Sequence, residues 1–186
     1  MARTESNMLL LGSSAPHFSL PDTLSGETQT LEQLKSEQAT VIFFICNHCP
    51  FVIHVQEQLI QLAKDYQPKG ISFIAISSND VENYPDDSPE KMREIGTKLG
   101  YPFPYLYDET QEIAKAYQAA CTPDFYIFDH NLKLAYRGQL DDSRPGNDIP
   151  VTGASLRTAL ECLLANKAIP SPQKPSLGCN IKWKEN

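Results

Sequence analysis

Two cysteines three positions apart, Cys46 and Cys49, carry the strongest chemical signal in this chain. They lie in the run Cys46-Asn47-His48-Cys49-Pro50. Two intervening residues let the sulfurs close a small ring. One thiol can then attack an outside disulfide, and the other can resolve the mixed disulfide that forms. The attacking species is the thiolate, which an electropositive setting favours. Cys46, at the mouth of the turn, reads as the exposed attacker, and Cys49 as the resolver. His48, once protonated, would stabilise the thiolate and make the pair more oxidising. The reaction needs the two sulfurs within bonding reach of each other and open to a partner. It needs no bound cofactor.

Three more cysteines stand at 121, 162 and 179. Five is an odd number, and a chain of 186 residues can bury a core without staples, so a structural disulfide framework is not expected. Cys121, two residues before Pro123, and Cys179, near the C-terminus, are candidates for further redox work. Cys162, beside Ala159 and Leu163, reads as packing. A metal-binding module using zinc or copper would combine Cys46, Cys49, His48 and His54. Zinc asks for four tetrahedral ligands, and no second Cys-x-x-Cys or His-x-x-His completes such a set.

The elements that must hold the pair are readable on either side of it. Residues 41–45 are bulky on both faces, which marks a strand buried in the middle of a sheet. After Pro50, the residues Val52, Val55, Leu59, Leu62 and Tyr66 recur at helical spacing. Pro68-Lys69-Gly70 stops that helix, and Ile71–Ser77 reads as a second buried strand. Strand, helix, strand predicts a parallel pair with a right-handed crossover. The sulfurs thus fall at the junction of a strand and a helix. The helix N-terminus there offers unpaired N–H groups and about half a positive charge.

Further along, residues 79–88 read as polar loop. Ser88 caps a helix carrying Met92, Ile95 and Leu99, and Gly100 closes it. Residues 103–107 read as a short strand or link, and Ile113 and Tyr117 as part of a short helix. Asp124–Asp129 and 132–137 read as a hairpin turning at His130-Asn131. A polar loop at 138–150 leads to a final helix with Leu156, Ala159, Leu160, Leu163 and Leu164. The order β-α-β-α-β-α-β-β-α predicts an α/β fold, a mixed sheet with helices on both faces. We read one domain over 1–186: an N-terminal extension at 12–40, a core at 41–169 and a surface arm at 170–186.

A Cys-x-x-Cys at a strand–helix junction, followed by Thr122-Pro123 opening a hairpin, resembles the thioredoxin fold. The resemblance implies a cis Pro123 facing the cysteine pair and a Thr122 whose backbone pairs with extended substrates. Gly12-x-x-Ala15-Pro16-x-Phe18-x-Leu20 and the Leu31–Leu34 segment resemble the redoxin branch, the alkyl hydroperoxide reductase/thiol-specific antioxidant group. Cys121-Thr122-Pro123-Asp124, Tyr136-Arg137-Gly138 and 178–184 are similar to marks of its peroxiredoxin-like, thioredoxin-domain subfamily. The sequence also departs from these relatives. Thr40 stands where thioredoxins carry a buried Asp proton relay, and Ile45 where they carry a Trp. A peroxidatic Cys needs a Ser or Thr three residues upstream, and Phe43 occupies that position before Cys46. Thiol–disulfide exchange is therefore the leading reading and hydroperoxide reduction the alternative.

Composition narrows the partners. Asp and Glu number 23 against 16 Lys and Arg, a net charge of −7, which excludes the basic face a nucleic-acid binder needs. The longest apolar run, 41–46, is strand length, far short of the roughly 20 residues of a membrane span. Met8–Leu11 is too short for a secretory core of about 7 residues or more, so we expect a cytosolic chain. The expected partner is a disulfide-bearing protein or a low-molecular-weight thiol or peroxide.

Overall fold

The computed structural model of the chain describes residues 3–185. Its centre is a five-stranded sheet in the order β6-β5-β4-β8-β9. The strands are β4 (Ala39–Phe44), β5 (Ile71–Ser77), β6 (Tyr105–Tyr107), β8 (Asp124–Asp129) and β9 (Leu134–Gly138). β4 runs parallel to β5, β5 parallel to β6, and β8 antiparallel to both β4 and β9. All six residues of β4 are buried, as expected of the middle strand of a sheet covered on both faces.

Two apolar layers flank the sheet. On one face, α2 (Pro50–Tyr66), α3 (Pro89–Leu99) and α5 (Ala154–Leu164) pack Val52, Leu59, Leu62, Met92, Leu156 and Leu160 against Val41, Phe43 and Phe125. On the other, α1 (Leu31–Leu34) and α4 (Glu112–Ala116) bring Leu31, Ala114 and Tyr117 against Ile42, Phe44, Ile74 and Tyr126. This is the mixed three-layer α/β arrangement the sequence predicts. The end signals also act as read. Ser88 caps α3, Gly100 ends it in the left-handed conformation, and Pro50 opens α2. The N-terminal extension forms a short hairpin of β2 (Ser19–Pro21) and β3 (Thr28–Thr30) before α1, whose first turn is closed by a Thr30/Gln33 capping box.

The expected surface arm at 170–186 is corrected. Its residues Leu177–Asn180 form β10, the middle strand of a second sheet ordered β1-β10-β7, with β1 at Arg3–Glu5 and β7 at Cys121–Thr122. Gly178, Cys179 and Ile181 are buried. β10 lies against the segment that enters the 122–123 bend, so the C-terminal segment is part of the core. The reason is local: β7 presents an open backbone edge, and Gly178 lets β10 approach it. A Cβ at position 178 would overlap the Thr122 carbonyl.

The aromatic packing under the site predicts a stability effect. Phe43 is fully buried and meets Phe103 edge-on at 5.2 Å and Phe125 at 6.0 Å. Phe43→Ala should lower unfolding free energy by about 3–5 kcal/mol, measured by denaturant titration at constant m-value.

Candidate active site

β4 delivers the chain to the site. Past Phe44, Ile45 still bonds to Ile76 O at 2.9 Å, and Cys46 then leaves the sheet for a two-residue turn. Cys49 is the N-cap of α2, with Pro50 at its first helical position, where no hydrogen bond is lost. The Thr122–Pro123 bond is cis, as the resemblance implies. The Thr122 hydroxyl is 3.4 Å from Cys46 Sγ, and the Thr122 carbonyl oxygen is 3.2 Å from Cys49 Sγ. Cys46, Cys49 and the Thr122-Pro123 bend thus converge.

The two thiols share a charge they cannot both carry. Cys49 is held well below the ordinary thiol range, first by the Cys179 thiol, then by the Cys46 thiol, with Thr122 and the Val52 N–H adding to the effect against its burial. Cys46 is held well above that range, first by its hydrogen bond to Cys49, then by burial, then by the Asp87 carboxylate, and the Thr122 hydroxyl opposes these. Of the two, Cys49, at the positive end of α2, is the one whose ionised form is favoured, and Cys46 the one whose thiol form is favoured. The two titrate as one coupled unit.

His48 does not stand free beside the pair. Its Nδ1 is 2.7 Å from Asp87 Oδ2, and its ring stacks on Tyr84 with centroids 5.7 Å apart. Asp87 is fully buried and organises the turn. Oδ1 accepts the Asn47 and His48 N–H groups at 2.8 and 3.4 Å, and Oδ2 accepts Asn79 Nδ2 at 2.8 Å. Tyr105 adds a hydroxyl donor to Asn47 Oδ1 at 3.0 Å. The sequence does not reveal Asp87 as a site residue. It falls in a polar stretch just before the Ser88 cap, where an acid is ordinary, and nothing local shows that it reaches back 40 positions.

Several expectations are corrected by these contacts. Cys46 is not exposed: it keeps 2% of its surface, and Cys49 keeps none. The backbone edge of Thr122 is not open to an extended substrate, because β10 pairs with it in the register Cys179↔Thr122. Cys121 is fully buried, and its sulfur faces the Pro123 carbonyl at 3.6 Å. Successive strand residues point to opposite faces, so Thr122 meets the sulfurs and Cys121 does not. Burial drives its pKa far up. Cys179 is brought in, with its sulfur 2.7 Å from Cys49 Sγ. His54 pairs with Ser143 Oγ at 2.7 Å, tying α2 to the 138–150 loop, and so serves no metal set.

The donor geometry also tests a metal centre. Cys46, His48 and Asp87 each bring one donor atom within 4.8 Å of the others. Both Asp87 oxygens are already occupied by the turn, by Asn79 and by His48. Two thiolates on a tetrahedral zinc, each about 2.3 Å from it, would lie about 3.8 Å apart. The 2.7 Å between Cys49 and Cys179 does not match that spacing. The Cys49–Cys179 spacing thus fits sulfur–sulfur exchange, and the Asp87 oxygens are committed to the turn.

Comparison with known proteins agrees with this geometry. Residues 11–137 match the model of the AhpC/TSA family. A thiol-disulfide oxidoreductase, ResA, of Geobacillus thermodenitrificans is 26% identical over 133 residues, 70% of each chain. A crystal structure of an uncharacterized conserved protein from Geobacillus kaustophilus is 64% identical with a TM-score of 0.99, covering 100% of this chain and 98% of that one. A thiol:disulfide interchange protein of the thioredoxin family from Chlorobium tepidum TLS superposes with a TM-score of 0.63 at 16% identity, covering 82% and 97%, which shows the shared fold.

Two predictions come from the buried carboxylates. Asp87→Ala leaves backbone donors of the turn and the Asn79 amide unpaired. It should cost about 3 kcal/mol or more, read by thermal or denaturant unfolding. Asp124 is fully buried beside Pro123 and accepts from Tyr126 O–H at 3.1 Å; burial raises its pKa to about 7. The unfolded carboxyl ionises near pH 4 and the folded one near pH 7. Stability from this group is therefore full below pH 4 and is lost as the pH climbs through 7. Asp124→Asn should gain on wild type by about 4 kcal/mol between pH 4 and pH 8, measured as the difference between their unfolding free energies.

Proposed function

The chain belongs to the AhpC/TSA family, and from that premise we propose that it is a thiol–disulfide oxidoreductase cycling between the Cys46/Cys49 dithiol and disulfide. The observation that carries this reading is the sulfur pair at the β4–α2 junction, with Cys49 as the N-cap of α2 and both sulfurs faced by the cis Thr122-Pro123 bend. Exchange begins when the proton on Cys46 passes to Cys49 along the bond between them. The Cys46 thiolate accepts the Thr122 hydroxyl, and the Cys49 thiol donates to the Thr122 carbonyl. Cys46 attacks a partner disulfide, one partner sulfur leaves as a thiolate, and Cys46 carries the mixed disulfide. Cys49 then attacks the Cys46 sulfur, releasing the second partner thiol and closing the Cys46–Cys49 bond.

Cys46 is assigned the first attack because Cys49 is enclosed by three groups, the Cys46 and Cys179 sulfurs and the Thr122 carbonyl. With 2% of Cys46 exposed, a macromolecular disulfide reaches it only through a local opening. A cavity of about 310 Å³ borders the turn and is lined by Asn47, His48, Asp86, Lys91, Glu94 and Lys98 among others. Its volume suits a small thiol or one side chain of a protein partner. We place the activity in the cytosol, whose thiol pools would restore the dithiol. Reduction of peroxides has less support, because Phe43 lies buried in the core at the position that would supply a positioning hydroxyl.

Cys46→Ser should lower thiol-driven turnover of a disulfide substrate such as insulin by a hundredfold or more, followed by precipitation of the reduced chain. Retention of wild-type turnover would remove Cys46 from the reaction. Hydrogen peroxide consumption with dithiothreitol should stay at the uncatalysed rate.

A further inference from the structure

The exchange reading uses two sulfurs, yet the site holds a third. Cys179 Sγ lies 2.7 Å from Cys49 Sγ. Non-bonded heavy atoms settle at about 3.5–4.0 Å, so this approach is closer than packing produces. It is also built. β10 pairs with β7 through Cys179↔Thr122 and with β1 through Arg3↔Cys179. The Ser176 hydroxyl donates to the Pro123 carbonyl at 2.6 Å, and on the other side the Lys182 N–H donates to Asn79 Oδ1 at 2.9 Å. Gly178 admits the strand to the Thr122 carbonyl. The two sulfurs are 130 residues apart in sequence and are held together from both ends of one strand.

We propose that Cys179 is the third member of a thiol relay. After Cys46 and Cys49 have closed their disulfide, the Cys179 sulfur attacks Cys49 Sγ. The Cys49–Cys179 bond forms and the Cys46–Cys49 bond breaks. Cys46 leaves as the thiolate and takes up the proton that Cys179 gives up. One disulfide and one thiol go in, one disulfide and one thiol come out, and no outside oxidant is consumed. This step rests on the exchange reading and extends it. Its effect is directional. A released partner thiol can reverse the first reaction only by attacking Cys46 within a disulfide. Once the bond lies between Cys49 and Cys179, Cys46 is a free thiol and no longer offers that attack a disulfide.

The resting state is compatible with such a role. The Cys179 thiol is kept protonated first by its hydrogen bond to the charged Cys49 and then by burial, with Lys182 acting the other way. When Cys49 enters a disulfide its charge is gone, and the first of these restraints goes with it.

Disulfide mapping tests the relay. The full chain is equilibrated with oxidised glutathione, its remaining thiols are blocked with N-ethylmaleimide, and the digest is analysed by mass spectrometry. In Cys46→Ser, the Cys49–Cys179 linked peptide should dominate; Cys49 and Cys179 left as free thiols or as glutathione adducts would overturn the proposal. In wild type, a time course should show the Cys46–Cys49 peptide first and the Cys49–Cys179 peptide growing at its expense. Persistence of the first peptide alone would likewise overturn it. Cys179→Ser should carry only the Cys46–Cys49 bond. A Cys179→Ser protein unable to form that bond would refute the underlying exchange reading, a result distinct from failure of the relay.

Discussion

A charged sulfur in a nearly dry site has to be held by groups that cannot turn away from it, and at this site one thiolate has three such holders. Burial alone drives a thiol toward the neutral form, as it does at Cys121. Cys49 is drawn the other way because it caps α2, where the Val52 N–H points at it, and because the Cys46 and Cys179 sulfurs both lie against it. None of these donors is a long, mobile side chain. Two are sulfurs fixed by backbone, one at the end of β4 and one in β10, and the third is backbone itself. The sheet, the helix start and the C-terminal strand must therefore all be in register before the charge is stable. The chemistry of the pair is a property of the whole fold.

The turn between the cysteines meets a related constraint. Its N–H groups have no helical or strand partners, and a buried donor left alone costs on the order of 1–3 kcal/mol. Asp87 satisfies two of them from the neighbouring loop and takes the His48 ring on its other oxygen. The carboxylate that fixes the turn is also a like charge beside Cys46, and it helps to keep the Cys46 proton in place. One residue thus shapes the loop and biases which sulfur is charged. The bias runs against Cys46, so the geometry favours a quiescent pair until a partner displaces the proton.

How much of this was legible in the sequence depends on the range of the interaction. β4 and β5 are visible because nearly all their residues are buried on both faces, which leaves the continuous runs Val41–Phe44 and Phe73–Ile76 without a charged residue. α2 is visible from its apolar spacing, and α3 from Ser88 and Gly100. The sulfur pair and the Thr122-Pro123 bend carry their own signature. Asp87 and Cys179 do not, because what they contact lies 40 and 130 residues away. β10 was hidden for a different reason. Leu177-Gly178-Cys179-Asn180 follows a proline-rich stretch and contains a glycine, both poor omens for a strand. It becomes one only because β7 and β1 lend it edges on both sides. The misjudged exposure of Cys46 has a similar cause, since the groups that enclose it, Thr122 and Asp87, come from 76 and 41 positions along the chain.

Proton handling shows most clearly how this site differs from a thioredoxin-like pattern with an acid behind the cysteines. Thr40 stands where that acid would be; it is fully buried, and its hydroxyl accepts the Ser36 N–H. The chain does own a buried carboxyl nearby, Asp124, with its pKa raised to about 7. Its position rules it out as a relay for the pair. Asp124 opposes Phe44 in the sheet, and both side chains belong to the face away from α2, whereas the next residue, Phe125, packs on the face that carries Cys46 and Cys49. Strand alternation thus places the sheet itself between this carboxyl and the sulfurs. The proton that must leave Cys46 before attack, and return after release, has the Cys49 sulfur, the Thr122 hydroxyl and the His48–Asp87 pair, whose donor atoms lie within 4.8 Å of the Cys46 sulfur, within reach. With Thr40 in place of the acid behind the sheet, proton transfer falls to the groups that surround Cys46 itself, and the third thiol beside Cys49 adds one more proton carrier to that set.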